Sequence, residues 1–253
     1  MQRFFAQPHE ILLERGEIHI GGGDVNHMKN VLRMKKGDEV WISGGGNQEY
    51  RCTLLGFERE EALLQIQEAR KADYELKSRI YLFQGLPKGD KMELIIQKAV
   101  ELGAYAIVPV ETKRCVVRLD PKKSEKKAAR WQQISESAAK QSKRMLVPQV
   151  FPVMTYQKAL AMAGDLDLLL IPYENAEGMQ RTRALLESVH PGQSVGIFIG
   201  PEGGFEEAEV ELAREAGAKA VTLGKRILRT ETAGLAVLSA LMLLLEAAAE
   251  EGA

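Results

Sequence analysis

The chain is 253 residues long, 45% hydrophobic and 27% charged, with a formal net charge of −1. These are the proportions of an ordinary globular protein, with room for two small domains or one large one. Two distant cysteines, Cys52 and Cys115, and four scattered histidines, His9, His19, His27 and His190, give no support to a disulfide framework, a metal site or a covalent hydrolase.

The start, Met1-Gln2-Arg3-Phe4-Phe5, leads into polar residues and predicts no signal peptide. Residues 1 to 70 read as a small β-rich domain, with strands predicted over 17–20, 39–42, 50–55 and 62–66. Gly21-Gly22-Gly23 and Gly44-Gly45-Gly46 read as strand connections, since neither opens a βα unit. A helix is predicted over 24–33, with Asp24 as N-cap and Val25, Met28, Val31 and Leu32 on one side. Arg33 at its end and Lys35 and Lys36 beyond it serve solubility or meet phosphate. A polar linker over 68–77 closes the unit.

From Arg79 onward strands and helices alternate, which argues for a parallel sheet with helices on both faces. Strands are predicted over 80–84 and 106–110. Between them Asp90-Lys91-Met92-Glu93 predicts a capping box for a helix that buries Met92, Ile95, Ile96 and Ala99 and ends at Gly103. The stretch from Gly85 to Lys91 superficially suggests a phosphate loop, but its spacing is wrong and no Ser or Thr follows Lys91. Over 113–144 eleven Lys/Arg stand against three Asp/Glu, a net of +8 in a chain whose remainder carries −9. Such a run is a solvated helix face or a surface that tracks phosphates. Its helix is predicted over 124–143, with Trp131, Ile134 and Ala138 as the apolar stripe, and Pro148 blocks continuation. A third buried strand is predicted over 167–172, its end Ile171-Pro172-Tyr173-Glu174 abutting the loops that come next.

Val195-Gly196-Ile197-Phe198-Ile199 suits a buried parallel strand and runs into Gly200-Pro201-Glu202-Gly203-Gly204. A helix follows, with Glu206 and Glu207 in its first turn and Gly217 at its end. A strand over 220–223 then leads to a second loop, 224–232, and to an almost wholly apolar helix over 233–248. Two loops leaving the carboxyl ends of parallel strands form the expected ligand edge of an open α/β sheet. Arg226, Arg229, Thr230 and Glu231 either close their loop by an ion pair or recognise a ligand. The longest apolar run, 233–245, is too short for a membrane span and suits a core or subunit-interface helix.

Gly200-Pro201-Glu202-Gly203-Gly204-Phe205, followed by Leu223-Gly224-Lys225-Arg226-Ile227-Leu228-Arg229-Thr230-Glu231-Thr232-Ala233, resembles the family of 16S ribosomal RNA uridine N3-methyltransferases, within the SPOUT superfamily of knotted methyltransferases. Both motifs match in order and spacing. Arg3-Phe4-Phe5, the run from His27 to Asp38, and Pro87-Lys88-Gly89-Asp90-Lys91-Met92-Glu93 are similar to further family motifs. The run from Glu136 to Arg144 is a looser match to a segment that usually reads Glu-Gln-x-x-Arg, because Ala139 and Lys140 occupy part of that pattern.

The resemblance implies an α/β fold: a SPOUT-type trefoil-knot domain with a mostly parallel sheet over 78–253, and a PUA-like β-barrel for RNA over 1–70. It implies S-adenosylmethionine held by Ile171, Pro172, Ile199, Gly200, Pro201, Glu202, Gly203, Leu223, Gly224, Ile227, Leu228, Arg229, Thr230 and Ala233. RNA would meet Arg3, His27, Arg33, Lys88, Lys91, Gln141 and Arg144. A homodimer through the knot domain, no metal, no membrane, and cytoplasmic action on 16S rRNA of the small ribosomal subunit complete the expectation. The N3 of uracil must lose a proton to become nucleophilic, so Arg229 is assigned to the resulting charge and Glu202 to the proton. A ribose 2′-O-methyltransferase would carry Asn-x-x-Gly-x-x-Arg where this chain has Gly85 to Lys91. A non-catalytic ribosome-binding factor would use only the barrel and the basic helix, and a nicotinamide dehydrogenase lacks its fingerprint here.

Overall fold

Short alternating segments at the start of the chain pair into a six-stranded sheet in the computed structural model, which describes residues 1–176 and 178–251. Its strands are β1 (Gln2–Phe5), β2 (Ile11–Leu12), β3 (Glu17–Ile20), β4 (Glu39–Ser43), β5 (Gln48–Glu58) and β6 (Glu61–Lys71), in the order β1-β4-β5-β6-β3-β2. The β1–β4 ladder is parallel and the others are antiparallel. Period-two alternation sends Phe4, Ile18, Ile20, Val40, Ile42, Cys52, Leu54 and Leu64 into one apolar core.

Three expectations need correction in this unit. The predicted helix over 24–33 is a short α1 (Gly23–Asn26) widening into a π-helical turn (His27–Val31), closed by Arg33 at φ +54°. Gly22, not Asp24, is the N-cap, and the Asp24 carboxylate instead receives Lys140 Nζ at 2.6 Å. The linker expected over 68–77 is still strand as far as Lys71. Met1–Glu75 forms a compact unit together with Ala139–Val147. That later segment is tied in by Arg144, whose Nη2 lies 2.6 Å from Glu75 Oε2, and by Ser43 Oγ, which donates to the Met145 carbonyl at 3.0 Å.

The second unit, Leu76–Ala138 with Pro148–Ala253, is the α/β domain. In chain order it holds β7 (Arg79–Gly85), α2 (Lys91–Glu101), β8 (Ala106–Glu111), α3 (Pro121–Gln141, whose last three residues belong to the first unit), β9 (Gln149–Val150), β10 (Met154–Thr155), α4 (Tyr156–Ala163), β11 (Leu168–Pro172), α5 (Met179–Glu187), β12 (Ser194–Ile199), α6 (Glu207–Glu215), β13 (Lys219–Val221) and α7 (Thr230–Glu251). The sheet order is β10-β8-β7-β12-β11-β13, with β9 beside β8 and every ladder parallel. Strands covered on both faces read as continuous apolar runs. Phe83 and Phe198, both buried, stack with ring centroids 4.4 Å apart across the β7–β12 pair.

The capping box expected at Asp90 is absent: Asp90 makes no side-chain cap bond, and Glu93 lies 2.7 Å from Arg130 Nε. A capping box forms instead at Glu206 and Glu209, opening α6. The last helix starts at Thr230, earlier than expected, and is long and apolar enough to cross a membrane by length and composition. Here it packs against β7, β12, α2 and α5, burying Val237, Leu238, Leu241 and Leu245.

Candidate functional site

β12, β11 and β13 are neighbours in the sheet, run parallel, and end at Ile199, Pro172 and Val221. Loops leaving one edge of three adjacent strands converge, and here they enclose a cleft of about 530 Å³. Of the residues assigned to the methyl donor, Ile171 alone stays off its wall, fully buried in the sheet core. Pro172, Ile199, Gly200, Pro201, Glu202, Gly203, Leu223, Gly224, Ile227, Leu228, Arg229, Thr230 and Ala233 all line it. So do Tyr173 and Glu174 at the end of β11, together with Thr222. Thr222 lies outside both motifs; its place just past β13 is the one signal that could have found it.

Gly85 and Gly200 are dictated by crowding. A β-carbon on Gly200 would lie 2.9 Å from the Gly204 backbone, and one on Gly85 would lie 2.7 Å from the Pro201 nitrogen. Gly224 answers a different need, since its φ of +102° belongs to the left-handed region that other residues avoid. Behind the wall, Gln84 Nε2 donates to Thr230 Oγ1 at 2.9 Å, and that hydroxyl donates to the Gly200 carbonyl at 2.6 Å. One buried threonine thus joins the end of β7, the glycine loop and the start of α7.

The charged groups sort into an inner cluster and an outer rim. Lys91 Nζ lies 3.1 Å from Glu202 Oε1 and 3.3 Å from Glu231 Oε2. The Lys88 N–H also donates to Glu202 Oε1, at 3.0 Å. Burial pushes the Glu202 carboxyl up, but hydrogen bonds from the Lys88 N–H, its own N–H and Lys91 outweigh it and hold it below the usual range. Lys91 is raised in turn, first of all by its hydrogen bond to Glu202. Arg226 and Arg229 are exposed at the rim, and among the described residues neither forms an ion pair. The loop's ion pair therefore belongs to Glu231 and Lys91, and its two arginines face outward. Ile227 between them is 90% exposed.

The residues expected at RNA divide as well. Arg33, Lys88 and Gln141 are exposed and His27 is half-buried, edge-on to Phe4. Arg3 is buried, its Nη2 2.7 Å from the fully buried Glu49, and Arg144 is buried on Glu75. Lys91 is committed to its two acids. Three of the seven thus serve the fold's own ion pairs.

Residues 74–242 match the model of an RNA methyltransferase domain, and residues 20–67 match that of an RNA methyltransferase PUA domain. The chain is 40% identical to the ribosomal RNA small subunit methyltransferase E of Bacillus subtilis over 95% of its own length and 96% of that protein's. This chain belongs to the ribosomal RNA small subunit methyltransferase E family. A crystal structure of the family's protein from Neisseria gonorrhoeae, bound to S-adenosyl methionine, is 38% identical and superposes with a TM-score of 0.83, covering 96% of this chain and 98% of that one. A putative methyltransferase from Legionella pneumophila, solved in complex with the bound cofactor SAM, is 30% identical with a TM-score of 0.84, covering 95% and 96%. The fold implied by the family, a SPOUT-type α/β domain with a PUA-like β domain before it, is the fold observed, and its larger sheet is parallel throughout.

Proposed function

We propose that this chain methylates N3 of a uridine in 16S ribosomal RNA of the small subunit, using S-adenosylmethionine. The observation that carries the reading is the meeting of two motif loops, separated in sequence by α6 and β13, on one cleft at the carboxyl edge of β11, β12 and β13. The residues fit such a cofactor. The volume is that of a small-molecule site, and Pro172, Ile199, Leu223 and Leu228 supply apolar walls. Among the described residues the backbone N–H groups of Leu223, Lys225, Arg226, Ile227 and Leu228 donate to nothing within the chain, leaving them for the polar edge of an adenine.

When bound, S-adenosylmethionine supplies an electrophilic methyl on a sulfonium, which needs no metal and no covalent enzyme intermediate. The chain's task is alignment and charge. Arg229, unpaired at the rim, stabilises the negative charge that develops on the base oxygens as N3 loses its proton. Glu202 is the carboxylate assigned to that proton. Its depressed pKa keeps it ionised but makes it a weak acceptor, so its stronger contribution is to the ion cluster.

Lys88, Arg33, His27 and Gln141 supply accessible groups for the backbone of structured RNA, which is recognised largely through shape and phosphate. The outward face of α7, where Leu243 is 64% exposed, is assigned to a homodimer through this domain. Action on ribosomal RNA puts the enzyme in the cytoplasm.

The test is transfer of labelled methyl from S-adenosylmethionine to unmodified small subunits and to naked 16S RNA, with the product nucleoside identified by mass spectrometry. N3-methyluridine is expected. A ribose-methylated product would change the acceptor, and absence of both transfer and cofactor binding would remove the enzymatic reading.

A further inference from the structure

We propose that Lys91 is a positioning residue that clamps the two loops of the cleft together through Glu202 and Glu231; the inference rests on the cofactor reading of that cleft. Glu202 belongs to the loop after β12, Glu231 to the first turn of α7 after the loop of β13, and Lys91 to the first turn of α2 after the loop of β7. One ammonium therefore gathers the ends of three strand–loop units.

Lys91 is placed against local preference. It is the first residue of α2, where the helix dipole repels cations and favours acids. Its two carboxylate partners account for that placement. Glu231 sits in the favourable place for an acid, at the start of α7, but its Oε2 is shut off from solvent. Among the described residues Lys91 is the cation that reaches it. Removing Lys91 leaves that oxygen buried without a counter-charge and sets it against Glu202, whose carboxyl is held ionised. The repulsion acts between the two loops that form the cleft walls. Side chains of Lys91, Glu202 and Glu231 are 31%, 25% and 24% exposed, so water screens the cluster only in part.

The experiment compares wild type, Lys91→Met, Lys91→Arg, Glu231→Gln and the double variant K91M/E231Q. Amide hydrogen exchange is measured without cofactor, S-adenosylmethionine affinity by calorimetry, and RNA affinity separately. In K91M, exchange should quicken at the bonded amides beside the clamp, Gly204 and Glu206 in the first loop and Thr232 and Ala233 at the start of α7, and cofactor Kd should rise about tenfold or more. K91M/E231Q should recover most of the loss, because the repelling charge is gone, and K91R should recover part. Should K91M fail to fold, E231Q alone should quicken exchange at Thr232 and Ala233 and leave Gly204 and Glu206 protected. The proposal is overturned if K91M keeps wild-type exchange and cofactor affinity within about twofold while RNA affinity falls, which would make Lys91 a phosphate contact. If wild type binds no S-adenosylmethionine, the cofactor reading fails, and the exchange data still decide on the clamp.

Discussion

Gln84 and Thr230 are joined side chain to side chain at 2.9 Å, and Thr230 passes the link on to the Gly200 carbonyl. Both are buried, and the hydroxyl uses its donor and an acceptor site at once, so only another hydroxyl serves both ends.

Thr230→Val keeps the shape and removes both bonds. It should destabilise the protein by about 1–3 kcal/mol, because the Gln84 amide is left buried with one partner fewer. Urea denaturation measures the loss, and calorimetry should show weakened cofactor binding. Thr230→Ser should stay near wild type in both.

Gly200→Ala drives a methyl into the Gly204 backbone at 2.9 Å. The expected cost is about 1–3 kcal/mol of stability from overpacking, with a larger effect on cofactor affinity than on RNA affinity. A variant that binds S-adenosylmethionine as wild type does would show that the turn has slack.

Arg229→Ala removes an exposed cation from the rim without touching a buried contact. Turnover should fall roughly 10²- to 10³-fold while cofactor Kd stays within about threefold. Loss of cofactor binding would move Arg229 from charge stabilisation to cofactor retention.

Asp167 ties the start of β11 to that of β12. Its Oδ2 accepts the Ser194 N–H and hydroxyl, both at 2.7 Å, and these bonds, the N–H first, hold the carboxyl below its usual range. A depressed folded pKa contributes stability that is present above the unfolded value, about 3.9, and is lost as pH falls through the folded one. Asp167→Asn should therefore be less stable than wild type at neutral pH. The gap should close below about pH 4 in denaturation curves taken across that range.

Arg144→Met leaves Glu75 without its guanidinium in a largely enclosed place. A loss of about 3–5 kcal/mol is expected, partly recovered by adding Glu75→Gln. If the loss is small and RNA affinity falls, Arg144 is an RNA contact after all.

Much of the α/β unit could be read from local pattern. The apolar runs at β7, β8, β11 and β12 are continuous because a parallel sheet is covered on both faces, and α2 declared its buried face through Met92, Ile95, Ile96 and Ala99. Helix α4 was overlooked although Thr155 caps it, accepting the Lys158 N–H, and Ala159, Leu160 and Ala163 mark its buried side. The parallel strand β1 left no local trace, since its partner β4 lies beyond a hairpin and a helix. The two motifs meet on one cleft, whereas three of the residues expected at RNA are held in ion pairs within the chain. Arg3, Lys91 and Arg144 look alike in sequence to free basic contacts, and only folding shows that Glu49, Glu202, Glu231 and Glu75 have claimed them.

The hydrogen bond from Gln84 to Thr230 spans 146 residues, more than half the chain. A ribosome making this protein has produced β7 long before the residue that completes its edge exists. Its glycine turn is braced from one side by Gly85 and from the other by Thr230, so that wall of the cleft stays unfinished until the threonine is made. Competence to hold a ligand thus waits on a contact made across 146 residues, and contacts of such long range slow folding.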